Sequence, residues 1–158
     1  MSPVKLNATT LKTVCQEVPA GELVSFGPLI DGMFEICDGK KCIGLAANQV
    51  GRSWRLVVIN CKGFRQEIIN PVIERTFGGV RAAEEGCMSF PGIQVRVIRP
   101  KRCRVSGLDR NGKPVSFSPK NDLICRAILH EVDHLNGLTM LDRVRRPDTS
   151  YQPEAIAA

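Results

Sequence analysis

The sequence predicts an α+β fold. Two stretches with helical apolar spacing lie far apart, the chain between them reads mainly as strands, and no regular βαβ alternation joins them. In the first helix Phe26, Leu29, Ile30, Met33, Phe34 and Cys37 recur on one face, with Ser25 as N-cap and Pro28 in the first turn. Asp38-Gly39-Lys40-Lys41 closes it. Strands are predicted over Trp54–Asn60, Glu67–Glu74 and Ile93–Ile98, with Pro71 pushing the second toward a sheet edge or a bulge. Between them, Glu84 to Gly92 reads as a turn-rich stretch leading into the strand from Ile93. Lys101–Leu108 and Pro114–Ser118 form a hairpin across Asp109-Arg110-Asn111-Gly112, whose Asn-Gly step suits positive φ. The second helix runs from about Asn121 to Asn136 and stops at Gly137.

A chain of 158 residues, 43% hydrophobic and 24% charged, can bury a core of its own, so a single domain over 1–158 is expected. Pro147 and Pro153 break any long closing helix, so the tail from about residue 146 is expected to be loosely attached. No apolar run approaches the roughly 18 residues of a membrane span, and the N-terminus lacks the apolar core of a signal peptide. A net charge of +6 with only 5% aromatic residues does not describe a DNA- or RNA-binding surface. Seven cysteines without a Cys-x-x-Cys pair speak against a disulfide framework and for reduced thiols in the cytoplasm.

Chemistry concentrates in the second helix. The chain has two histidines, and they fall four residues apart in His130-Glu131-Val132-Asp133-His134. Positions i and i+4 of a helix share a face, so both imidazoles can reach one metal ion. Glu131, turned by about 100°, stands beside that ion, where it can take a proton from water. A third ligand must come from elsewhere. Position 140 is Met, so the three-histidine protease pattern is not met, and Asp142, Asp148 and Glu154 are the downstream carboxylates. Upstream, Cys87 in Glu85-Gly86-Cys87-Met88-Ser89 would complete a Cys/His/His site with an open fourth position. Spacing alone does not single it out from the other cysteines, and a fourth ligand such as Cys42 would instead make the site structural.

Three segments together resemble the peptide deformylases: Ile43-Gly44-Leu45-Ala46-Ala47-Asn48-Gln49, Glu85-Gly86-Cys87-Met88-Ser89, and His130-Glu131-Val132-Asp133-His134-Leu135. They stand in the family's order and near its spacing. The resemblance implies antiparallel β-sheets around a central helix that carries the histidines. It implies Cys87, His130 and His134 as metal ligands and Glu131 as the catalytic acid and base. Gln49 and the backbone N–H of Met88 would hold the formyl oxygen. Ile43 and Gly44 would bind the substrate backbone as an added strand, and Ala127 and Arg126 would line the methionine pocket. Glu85 and Arg99 would form a structural ion pair. The implied activity is hydrolysis of the N-formyl group from formylmethionyl nascent peptides, releasing formate. One divalent ion is implied, Fe(2+) in the cell, with Zn(2+) or Ni(2+) in isolated protein. The setting would be the cytoplasm of a bacterium, or of a phage's bacterial host.

The chain also departs from that pattern. Cys42 stands where the first motif usually begins with Gly, and is expected to be a small residue that fits. Leu129 replaces a usual Gln and should affect packing alone. Arg126, one turn before His130, replaces an apolar residue. Its guanidinium is expected either at the solvated rim or narrowing the pocket and contacting the peptide. The end, 24 residues beyond His134 and broken by two prolines, does not suit a ribosome-docking helix.

Overall fold

The computed structural model describes residues 4–145. The expected tail from about 146 lies outside the described residues. Five antiparallel strands, β1 (Gly44–Ala46), β2 (Leu56–Cys61), β3 (Phe64–Cys87), β4 (Phe90–Leu108) and β5 (Pro114–Phe117), form one sheet in the order β1-β2-β3-β4-β5. Helix α1 (Gly27–Lys40) precedes the sheet, and α2 (Asp122–Leu135) and α3 (Met140–Arg145) follow it. The mixed helix and antiparallel-sheet class is as predicted, although the strands join one continuous sheet. Among the described residues, no helix is long and apolar enough to cross a membrane.

Strand β2 shows why the sheet has two cores. Val57, Ile59 and Cys61 pack with Ile124, Ile128, Leu129 and Val132 of α2, while Leu56 and Val58 pack with Ile30, Met33 and Phe34 of α1. Alternate side chains of one strand therefore fill opposite faces, which makes it an unbroken apolar run rather than an alternating one. Helix α2 is buried along nearly its whole length, from Ile124 to Leu135. That leaves its polar residues, Arg126 and His130 among them, with only protein groups or the cavity to meet.

Several elements differ from the sequence reading. The N-cap of α1 is Phe26, not Ser25; Ser25 closes a 3-10 turn in which its Oγ donates to the Glu22 carbonyl. The strands predicted at Glu67–Glu74 and Ile93–Ile98 are parts of β3 and β4, which pair through bulges near Pro71 and near Gly78-Gly79. Pro71 is tolerated because β2 stops pairing at Ile69, so β3 has one neighbour strand there. The stretch Glu84–Gly92 is strand, turn and strand: Cys87 ends β3, Met88 and Ser89 turn, and Phe90 begins β4. In the loop before β5 only Gly112 has positive φ, because the Asp109 carboxylate accepts from Asn111 N and Lys113 N and shapes the turn instead. Gly137 ends α2 at φ +71, where a β-carbon would stand 2.6 Å from the Lys12 carbonyl oxygen.

Candidate metal centre

Two elements bring the donor atoms together. Cys87 arrives at the end of β3, and His130 and His134 arrive one helical turn apart on α2. Cys87 Sγ lies 3.3 Å from His134 Nε2, which lies 3.1 Å from His130 Nε2. Among the described residues these three form a group with all ligand atoms within 4.8 Å of one another. Both rings are oriented from behind: His130 Nδ1 meets Glu85 Oε2 at 2.9 Å, and His134 Nδ1 meets the Leu138 carbonyl at 3.1 Å. With a proton on each Nδ1, each Nε2 presents a lone pair to the centre.

The set fits a divalent ion by its chemistry. One thiolate and two imidazoles are a donor set that a divalent ion accepts, and Glu131 stands outside the group. Glu131 is buried, and its Oε2 has no hydrogen-bond partner among the described residues. A buried carboxylate oxygen without a donor is costly unless a water or a substrate N–H meets it. Burial raises Glu131 to a pKa of about 7, against the opposing charges of His130 and Arg99. That places it near the range where one group can both take and return a proton.

The centre opens into a cavity of about 920 Å³. Gln49, Met88, Ile43, Gly44 and Ala127 line it, so the predicted positions share one space. Gln49 is held by its own turn: Oε1 accepts from Ala46 N at 2.8 Å, which leaves Nε2 donating toward Cys87 Sγ at 3.4 Å and Ser89 Oγ at 3.2 Å. Strand β1 is the end strand of the sheet, so among the described residues its outer edge carries no neighbouring strand.

Behind the three donor residues lies a buried charge network. Glu85 accepts from Arg99 Nε at 2.5 Å and from Arg99 NH2 at 3.0 Å, and Arg99 NH1 donates to Asp133 Oδ2 at 2.8 Å. Arg99 and Glu85 are 1% and 4% exposed in their side chains, so this pair is not a surface contact. Burial alone would raise the Glu85 carboxyl, but the hydrogen bonds from His130 and Arg99 and their charges hold it well below the usual range.

Arg126 lines the same cavity. Arg126 is not at a solvated rim: it is 9% exposed, and its guanidinium bonds to protein groups. Cys42 stands outside the ligand group and faces Cys37, Sγ to Sγ 2.9 Å. Leu129 is fully buried in the core. Asp142 is engaged by Lys12 and by Thr139 at the start of α3, and Asp148 and Glu154 lie outside the described residues.

Sequence reasoning missed Asp133 and Asn48. Asp133 also accepts from Arg143 of α3, and Asn48 Nδ2 donates to the His134 carbonyl at 2.5 Å, tying the first motif to the end of α2. The available signal was a polar residue inside each apolar motif, a pattern that buried pairing explains.

The chain resembles known proteins along most of its length. The family model described as polypeptide deformylase matches residues 3–150. The peptide deformylase of Treponema pallidum (strain Nichols) is 42% identical over 130 residues, 80% of this chain and 80% of that one. The structure of peptide deformylase from Thermotoga maritima superposes with a TM-score of 0.82 at 31% identity, covering 90% of this chain and 98% of that one. PDF from the Vibrio parahaemolyticus bacteriophage VP16T, in complex with actinonin, superposes at 0.77 with 37% identity, covering 88% and 99%.

Proposed function

The chain belongs to the polypeptide deformylase family, and we infer on that premise that Cys87, His130 and His134 hold one divalent ion beside Glu131. The protein is a metal-dependent hydrolase that removes the formyl group from nascent peptides. The observation that carries the residue assignment is the convergence of one sulfur and two imidazole nitrogens within 4.8 Å, next to a buried carboxylate oxygen with no donor.

The ion, when bound, supplies a Lewis acid and lowers the pKa of water at its open position. Glu131 takes the proton of the attacking water on Oε2. Oxygen adds to the formyl carbon, and the charge that develops on the formyl oxygen meets Gln49 Nε2 and the Met88 N–H. Glu131 then gives the proton to the departing amine as the C–N bond breaks, leaving formate and a free N-terminus. The peptide lies along the free edge of β1 at Ile43 and Gly44, as an added strand does. Its methionine side chain enters beside Ala127 and the Arg126 stem.

Ferrous iron is the ion we assign in the cell, since deformylases commonly use it. The donor set accepts zinc or nickel as well. The setting we infer is the cytoplasm of a bacterium or of a phage's bacterial host. Anaerobic purification with metal analysis, followed by formate release from formyl-Met-Ala-Ser, tests the assignment. One equivalent of metal, with activity that Glu131→Ala abolishes, is expected. Metal-loaded wild type that releases no formate would overturn it. Actinonin, bound by the phage relative, should inhibit.

A further inference from the structure

Arg126 puts a charge where the core could have kept a hydrocarbon. It sits on α2 one turn before His130, and its side chain is 11% exposed. Burying a guanidinium is expensive, and a well-packed apolar residue of similar volume is often at least as stable. Its three hydrogen bonds show what the charge accomplishes. NH1 donates to Glu85 Oε1 at 2.7 Å and to the Val97 carbonyl at 3.1 Å, and NH2 donates to the Arg81 carbonyl at 2.6 Å.

All three acceptors lie on one hairpin. Arg81 and Glu85 belong to β3 and Val97 to β4, in a register that pairs Arg81 with Arg99 and Ala83 with Val97. Cys87 follows Glu85 by two residues at the end of β3, and His130 follows Arg126 by one turn on α2. One planar group therefore spans the two elements that carry the donor atoms. Glu85 gains a second guanidinium on Oε1, so its Oε2 is steadied for the 2.9 Å contact with His130 Nδ1. The fork geometry of Arg makes such a three-point hold that the single ammonium of Lys cannot reproduce.

We propose that Arg126 is a positioning residue for the metal centre, a strut that ties α2 to the β3–β4 hairpin and sets Cys87 against the two imidazoles. The proposal rests on the reading above that Cys87, His130 and His134 are the ligands. A strut of this kind shows in the metal's affinity and spectrum, not only in turnover. Arg126→Met keeps the length of the stem and loses all three bonds; Arg126→Lys keeps the charge and loses the fork.

The test is Co(2+) titration of wild type and both variants, following the thiolate-to-cobalt absorption, together with Zn(2+) affinity by chelator competition. Circular dichroism checks that each protein is folded. Arg126→Met should bind Zn(2+) about 10–100-fold more weakly, as with lost partners behind metal ligands. Its thiolate–cobalt band should be weaker or displaced, and Arg126→Lys should fall between it and wild type. Wild-type affinity with an unchanged band in Arg126→Met would overturn the strut and leave the metal site standing. If Arg126→Met does not fold, Arg126→Lys decides: reduced affinity supports the proposal and wild-type affinity overturns it. A wild-type protein with no thiolate–cobalt band would overturn the ligand assignment, and the strut with it.

Discussion

Gly44 lies against Glu131 so closely that a β-carbon at position 44 would stand 2.8 Å from Glu131 Oε1 and 2.9 Å from its Cγ. The glycine of the first motif thus has a steric role of its own. It makes room for the carboxylate, across 87 residues of chain.

Gly44→Ala should therefore push Glu131 out of place without meeting Cys87, His130 or His134. We expect formate release to fall by about 10²–10⁴, the usual contribution of a general acid and base. Metal content should stay at one equivalent. Turnover measured beside metal analysis checks this, and a fully active variant would show that the Glu131 side chain shifts at no cost.

Cys87→Ala separates the deformylase site from a zincin-type site with a downstream ligand. Removing the thiolate should strip the ion and the activity together. Cys42→Ser should do neither, since Cys42 lies outside the ligand group. Metal analysis of the two purified variants is the measurement. Metal retained by Cys87→Ala, or lost by Cys42→Ser, would contradict the assignment.

Arg99→Ala removes one partner of a buried pair and leaves Glu85 and Asp133 to other donors. Breaking such a pair typically costs about 3–5 kcal/mol. We expect a lower unfolding midpoint in urea and faster loss of metal to a chelator, because Glu85 orients His130.

In metal-free protein Glu131 should make stability depend on pH. Burial raises it to about 7, so the folded state holds its proton where the unfolded chain has already released it. Its contribution is fully present below the ordinary carboxylate range and is lost as pH rises through about 7. His134, lowered by burial and by the charge of His130 to about 3, acts with the opposite sign at lower pH. The difference between wild type and Glu131→Gln isolates the carboxylate. In EDTA-treated samples the stability of wild type relative to Glu131→Gln should fall from pH 5 to pH 7.5; a constant difference would show an ordinary pKa.

Local spacing settled α2 and its two histidines before any fold was known, because helical periodicity alone puts positions 130 and 134 on one face. It also placed the core strands, since apolar runs between turn residues need no partner to be recognised. Short β1 and α3 went unseen: three and six residues carry too little period to stand out. The third candidate ligand could not come from spacing either. Cys87 and His130 are 43 positions apart, and only the end of β3 packing on α2 brings their atoms together. The direction of the Arg126 guanidinium belongs to the tertiary structure for the same reason. A buried charge goes where acceptors are, and Glu85, Val97 and Arg81 become neighbours only once the hairpin lies across the helix.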